Sequence, residues 1–133
     1  TSGDLYGGWV SCPSRSIAGR DPYRVERFAT YAARWIAKSL VASKLCRRAA
    51  VTLHYASNFA EPASIEIDTF GTASAACKGK SLVPIVQRNF DLRVGGVVRA
   101  LNLPKQNFRV YSCFGHLGGS SSPWEEVRKL EVA

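Results

Sequence analysis

Two histidines are the residues of this 133-residue chain best suited to proton transfer near neutral pH. Apolar and polar residues alternate around His54, which predicts a strand, and the next alternating segment carries Glu66. If these strands pair around a turn near Ala60, Glu66 lies opposite His54. His116 follows a further predicted strand that carries Arg109. A carboxylate, two imidazoles and an arginine make these four residues a candidate set for general acid-base catalysis.

The chain order of this set is similar to the order of the catalytic groups in small microbial guanyl-type ribonucleases: His54, Glu66, Arg109 and His116. The resemblance implies a secreted ribonuclease that uses these residues on RNA. The alternative is structural, because a cross-strand pair of histidine and glutamate on an exposed face is a common surface contact. No local motif surrounds any of the four residues, which favours the structural interpretation and a protein that is not an enzyme.

A second candidate site is a cationic stripe on one predicted helix. Its members are three or four residues apart, on a face away from the predicted core: Arg24, Arg27, Tyr31, Arg34 and Lys38. Such a stripe could bind a phosphate backbone or an acidic protein surface, and the alternative is a solvated helix face. Eighteen Lys and Arg residues against ten Asp and Glu residues give a net charge of +8, which favours an anionic partner.

The predicted elements that position these residues are two long helices and four strands. Helices are expected at about 22–44 and 81–103, the second kinked at Gly95–Gly96, and a capping box at Ser122–Glu125 opens a short terminal helix. Strands are expected at 6–12, 49–56, 64–70 and 108–114. This order predicts an α+β two-layer sandwich of ferredoxin-like split βαβ topology, with a four-stranded antiparallel sheet and two helices on one face.

The first helix and the hairpin after it have the clearest patterns. Asp21 is a good N-cap residue for the helix. Apolar residues at helical spacing form the face that we expect to be buried: Val25, Phe28, Ala29, Ala32, Ile36 and Leu40. In the hairpin, the turn near residue 60 sets Leu53 opposite Ile67.

Four widely spaced cysteines favour two disulfides over a metal site, because zinc ligands usually come in closely spaced pairs. In the split βαβ topology the first helix and the third strand end at the same edge, which makes Cys46 and Cys77 natural partners and leaves Cys12 for Cys113, one of the three connectivities that four cysteines allow. Free thiols in a cytosolic protein are the alternative. Disulfides and the absence of methionine predict a secreted, extracellular chain whose signal peptide has been removed.

No linker divides the chain, so residues 1–133 are expected to form one domain, with 1–5 a flexible end or a tag remnant. No apolar run is long enough to span a bilayer, and no motif calls for a cofactor or a metal ion. We expect a monomer. A third hypothesis, an RNA-binding ferredoxin-like module in the cytosol, predicts free thiols and salt-sensitive affinity for RNA.

Paired cysteines, a basic surface and two helices on one sheet together resemble small secreted proteins of fungi. These are the killer-toxin-like proteins and the cysteine-stabilised effectors of plant-pathogenic fungi, some of them avirulence proteins. The resemblance covers the architecture from about Tyr6 to Phe114. It implies a non-enzymatic virulence protein that binds a host component and is recognised by a plant resistance protein.

Overall fold

The computed structural model describes residues 6, 8–10 and 17–132, and for Phe114 it describes the backbone only. Residues 1–5 and Cys12 therefore lie outside the described residues. The helices and strands follow in chain order: α1 Val25–Ala42, β1 Ala50–Tyr55, β2 Pro62–Asp68, α2 Val83–Asn89, α3 Val94–Ala100 and α4 Phe108–Phe114. Two short 3₁₀ turns, at Leu103–Lys105 and Pro123–Glu125, complete the described elements.

The prediction of the first helix is confirmed, with slightly shorter bounds. Asp21 caps the turn before the helix, since its Oδ1 accepts a hydrogen bond from the Tyr23 N–H at 2.8 Å. The predicted inner face is buried except at Val25, which is 42% exposed. Its buried members are Phe28, Ala29, Ala32, Ile36 and Leu40. This face packs on the hairpin and holds it against the core.

The predicted hairpin is also confirmed, but its register differs. Leu53 pairs with Ile65 and His54 with Ser64, two residues from the predicted partners Ile67 and Glu66. The cause is the turn, where Asn58 takes the left-handed conformation at φ 67°. The centre of the turn therefore lies one residue earlier than expected. Moving the centre by one residue changes the cross-strand partner of each residue by two positions.

The mixed α+β class holds, but the four-stranded sheet does not, because the described residues form a sheet of two antiparallel strands. The segment predicted as the fourth strand is helix α4. Its half-buried side chains, Phe108 and Tyr111, are three residues apart, while Val110 between them is 54% exposed. That spacing is helical and not alternating. Of the predicted strand 6–12, the described residues have no strand structure.

The predicted second long helix is broken between α2 and α3 at residues 90–93, before the glycine pair and not at it. Arg93 donates from its Nε and from its backbone N–H to Asp91 Oδ1, at 2.8 and 3.2 Å, which closes a turn where the helix would continue. A Cβ on Gly96 would lie 2.4 Å from Asp91 Cγ, so the glycine gives this turn room. The Val94 N–H then bonds to the Ala60 oxygen at 3.0 Å and ties α3 to the hairpin turn.

The predicted capping box does not form a terminal helix. Ser122 Oγ is buried and has no hydrogen-bond partner among the residues that the structure describes, and Glu125 points to α1 instead of its own backbone. The chain after the 3₁₀ turn runs alongside α1 and α2. The Arg128 N–H donates to Ser39 Oγ at 3.1 Å, and the Glu131 N–H donates to Asn89 Oδ1 at 2.9 Å. Contacts across the fold therefore decide the structure of this segment.

The predicted disulfides are absent from the described residues. Cys46 and Cys77 are buried free thiols, and Cys113 is an exposed free thiol on α4. The topology does bring the first two together: burial, and secondly the nearby Cys77, raise the pKa of the Cys46 thiol. Cys113 faces solvent because its segment is a helix and not a core strand. The predicted Cys46–Cys77 bridge is therefore wrong, and Cys12, the partner predicted for Cys113, lies outside the described residues.

Candidate functional site

The predicted catalytic set is divided between two sides of the molecule. His54 Nε2 lies 3.5 Å from Glu66 Oε1, and these side chains are 49% and 71% exposed. They stand on the hairpin face that points away from α1. His116 instead is buried, with its Nδ1 2.8 Å from the Tyr31 hydroxyl of α1. Arg109 is exposed on α4. No shared pocket collects the four groups.

The middle of the predicted cationic stripe is buried, because the C-terminal segment covers that face of α1. Arg27 is only 2% exposed, and its Nη1 donates to the Tyr31 hydroxyl at 3.3 Å. The Arg27 guanidinium also lies 4.2 Å from the centre of the Phe108 ring. Tyr31 is fully buried and stacks on Trp124 with ring centres 3.8 Å apart. These members of the stripe belong to the core.

The next two cations of the stripe converge on one carboxylate. Arg34 donates to Glu125 through Nε at 3.0 Å and Nη2 at 3.1 Å, and Lys38 Nζ lies 2.6 Å from Glu125 Oε2. The Gly118 N–H donates to Glu125 Oε1 at 2.7 Å. Burial alone would raise the pKa of Glu125, but hydrogen bonds from these three residues outweigh burial and lower it to about 2.

We call this group, Arg34, Lys38, Gly118 and Glu125, the carboxylate clamp. It ties α1 to the loop before the last 3₁₀ turn and to the turn itself. Protein donors use both side-chain oxygens of Glu125, so the carboxylate has no acceptor left for a ligand. The clamp is therefore a structural feature.

The exposed member of the stripe that lies outside both the core and the clamp is at the start of α1. Arg24 is exposed there, and it makes no ion pair with a described residue. A cation at this end opposes the helix dipole, which favours negative charge at the first turn. No side chain caps the helix at this end. Arg24 is thus placed where it does not serve helix stability, and this favours a role in binding an anion.

Exposed apolar side chains surround this arginine. Tyr23 is 58% exposed and Val25 42% exposed, directly before and after it in the chain. The hairpin turn lies at the same end of the molecule, since Phe28 in the first turn of α1 packs edge-on against Tyr55 at the end of β1, with ring centres 5.1 Å apart. That turn presents Phe59, which at 70% is the most exposed large apolar residue described.

We call this region the α1-start surface, defined by Arg20, Tyr23, Arg24, Val25, Glu26 and Phe59. Its support is rigid: Tyr55 is half-buried beneath the turn and donates from its hydroxyl to the Leu92 oxygen at 2.6 Å. Burial raises the pKa of Tyr55 to about 12, so this bond persists across the physiological range. The surface offers the Arg24 guanidinium to an anion, aromatic rings to a flat apolar group and the Glu26 carboxylate to a cation.

The sequence predicts a cationic role for Arg24, with Arg20 extending the charge, and it wrongly predicts that Val25 is buried; the aromatic members Tyr23 and Phe59 were missed. Tyr23 was available as an aromatic residue just before the helix, and Phe59 as an apolar residue in a turn of polar ones. An apolar side chain in a short surface turn is a usable signal, because such turns normally carry polar residues or glycine.

The described residues hold no group of three or more His, Cys, Asp and Glu side chains arranged to bind a metal ion. Nor, among those residues, does any helix have the length and the apolar composition that crossing a membrane requires.

Comparisons with known proteins overturn the resemblance drawn from the architecture. The family model of the S-adenosylmethionine synthetase C-terminal domain matches residues 1–126. The S-adenosylmethionine synthase of Clostridium acetobutylicum is 40% identical over 131 residues, which are 97% of this chain and 33% of that protein. The S-adenosylmethionine synthase of Clostridium botulinum is 41% identical over 130 residues, 96% of this chain and 33% of that protein.

The chain therefore spans about one third of the length of these relatives. The relatives are enzymes, so the expectation of a non-enzymatic, secreted effector or killer-toxin-like protein is wrong, as is the alternative of a ribonuclease. With the effector resemblance and the disulfides gone, the prediction of an extracellular location is wrong too. The chain belongs to the family of S-adenosylmethionine synthetase C-terminal domains.

Proposed function

We propose that this chain is the C-terminal domain of an enzyme that synthesises S-adenosylmethionine. The observation that carries the proposal is the match along almost the whole chain to synthases of that name, at 40% identity over 131 residues. The remaining two thirds of the relatives have no counterpart in this chain, so we assign the complete activity to a protein that also contains those parts. Residues 1–133 act within it as one domain, since the described apolar core forms a single cluster.

We assign the α1-start surface to contact with the substrates or the product of that reaction. S-adenosylmethionine is methionine with an adenosyl group on its sulfur, so it combines a flat base, a carboxylate and positive charge. Arg24 suits an anionic group, Tyr23 and Phe59 suit the base, and Glu26 suits the positive charge. Because this surface is open, the enzyme's other parts would complete the site around it.

A chimeric enzyme tests the proposal. The last third of the Clostridium acetobutylicum synthase is replaced by this chain, and formation of S-adenosylmethionine from methionine and an adenosyl donor is measured by chromatography. We expect product from the chimera and none from the same protein truncated before the exchanged part. A soluble, folded chimera that forms no product under conditions where the parent enzyme is active would contradict the proposed function.

A further inference from the structure

The opposite end of α1 carries a feature that the proposed function does not use. A cleft of about 470 Å³ lies between the end of α1 and the segment that follows β2. Lys44 and Arg47 line one side, and Gly71 and Ser74 line the other. We call it the α1-end cleft. Its volume is within the range of small-ligand sites.

The charge of the cleft is positive and not neutralised. The Lys44 and Arg47 side chains form no hydrogen bond or ion pair with a described residue, and none of the described residues that line the cleft is acidic. These cations differ from Arg34 and Lys38 of the same region of sequence, which are both bound by Glu125. A lysine and an arginine on one cleft wall, with no acidic partner among the described residues, attract an anionic group.

The backbone around the cleft is held in place before any ligand arrives. Thr72 Oγ1 accepts hydrogen bonds from the N–H groups of Arg47 at 3.2 Å and Arg48 at 2.9 Å. The same hydroxyl donates to the Thr69 oxygen at 2.7 Å. Gly71 has φ 69°, and the space where its Cβ would stand is open. The cleft wall is thus rigid, while the cationic side chains upon it are free to reach a ligand.

An aromatic platform adjoins the cleft. The Arg48 guanidinium lies 4.4 Å from the centre of the Trp9 ring, and Trp9 packs edge-on against Phe70 at 6.0 Å. Arg48 and Phe70 are the chain neighbours of Arg47 and Gly71, so platform and cleft share their supports. Trp9 remains 61% exposed. An exposed indole beside free cations provides a stacking surface for a base whose phosphate lies in the cleft.

Two further cations follow the cleft-lining segment along the chain. Lys78 and Lys80 are exposed and follow Cys77, whose thiol lies near that of Cys46 in the cleft lining. Cations beyond the two that line the cleft suit a polymer better than a single nucleotide.

We propose that the α1-end cleft and the Trp9 platform bind single-stranded RNA. Phosphate groups occupy the positions beside Lys44 and Arg47, and an unpaired base stacks on Trp9. An acidic peptide would use the same cations but has no flat group for the exposed indole, which is why the surface favours a nucleic acid. The proposal goes beyond the synthesis of S-adenosylmethionine and does not depend on it.

Fluorescence anisotropy of a labelled oligouridine of about 12 nucleotides, a length that spans a typical single-strand site, measures this binding on the full chain. We expect affinity that weakens as salt rises. The Lys44→Ala/Arg47→Ala variant should bind at least about tenfold more weakly, with a salt dependence shallower by about 1.4 in log–log slope, because two phosphate contacts are lost. Trp9→Ala should weaken binding by about tenfold, and Trp9→Phe should recover most of that loss.

The matched control is Lys105→Ala/Arg109→Ala, which removes two exposed cations elsewhere and should leave affinity nearly unchanged. Circular dichroism confirms that each variant is folded. Equal losses in the control and the cleft variant would overturn the proposal, as would no binding at low salt. Competition by AMP or pyrophosphate as effective as competition by unlabelled oligouridine would also overturn it, since the cleft would then take a single nucleotide or phosphate. Product formation by the chimera is measured separately, so either proposal can fail alone.

Discussion

The middle and the start of α1 carry the same kind of side chain in opposite situations. In the middle, Arg34 and Lys38 are closed over by a carboxylate that is 91 and 87 residues away in sequence. At the start, Arg24 faces solvent beside exposed aromatic residues. All three cations belong to the same stripe of residues three or four apart. The difference teaches that a cation is available for a ligand only where the rest of the chain brings no carboxylate to it.

The comparison also separates two sources of free energy. In the clamp, the Glu125 side chain is 4% exposed while Arg34 and Lys38 remain 26% and 37% exposed. Its ion pairs are thus partly desolvated and its hydrogen bonds charge-assisted, so they stabilise the folded state. At the start of α1 the positive charge of Arg24 does not stabilise the helix. A favourable interaction energy for this charge comes only from a bound ligand.

The largest expected effect is the loss of the clamp carboxylate. Glu125→Ala leaves two cations facing each other over a buried gap, and we expect the free energy of unfolding to fall by about 3 to 4 kcal/mol. Urea denaturation followed by circular dichroism measures it. The control is Glu126→Ala, an exposed neighbour whose loss should change stability by less than about 0.5 kcal/mol. If both variants lowered the free energy of unfolding by a similar amount, the structural role of the carboxylate clamp would be contradicted.

The pH dependence of stability is the second test of the clamp. The pKa of Glu125 is lowered to about 2 in the folded protein, from an ordinary value of 4.5. The unfolded state therefore takes up a proton first, so the clamp contributes fully above pH 4.5 and its contribution falls as pH drops towards 2. We expect wild type to lose about 2 to 3 kcal/mol more than Glu125→Gln over that interval. Parallel stability curves for the two proteins would contradict this.

The smallest change in stability is expected at the start of α1. There the substitution should stabilise the folded protein, whereas the loss of the clamp carboxylate destabilises it. Arg24→Glu places negative charge at the first turn, which should raise the free energy of unfolding by about 0.5 kcal/mol. Arg34→Glu, three turns further along, sets a second carboxylate against Glu125 and should destabilise the fold by several-fold more than that gain. Thermal unfolding of both variants measures this. A loss of stability in Arg24→Glu would mean that Arg24 has a structural partner.

Local patterns in the sequence were sufficient for α1 and for the hairpin, where the periodicity of apolar residues matches the buried face. They failed where distant residues decide. Ser122 and Glu125 have the spacing of a capping box, but the Glu125 carboxylate accepts hydrogen bonds from Arg34 and Lys38 instead of from the backbone of its own turn. The helical pattern also predicts that Arg27 and Tyr31 are exposed, but both are buried because residues from the C-terminal part of the chain cover them.

The candidate site was only partly predictable. The helical spacing predicted Arg24 as a binding residue. It did not predict that Arg24 is separated from the other stripe residues, because that depends on which of them the C-terminal segment covers. Phe59 joined the site through the turn at Asn58, whose left-handed backbone also set the strand register. The Cys46–Cys77 neighbourhood was found from topology, whereas bond formation depends on the redox environment and not on proximity alone.

The most direct test of the account is the rate at which the chimeric enzyme forms S-adenosylmethionine when Arg24 is replaced by alanine. The account predicts a fall of at least about tenfold, the cost of one lost charged contact, with folding unchanged. The matched variant Arg88→Ala, an exposed cation on α2, should keep the parent rate. An Arg24→Ala chimera that works at the full rate at all substrate concentrations would contradict the assignment of the α1-start surface to the reaction.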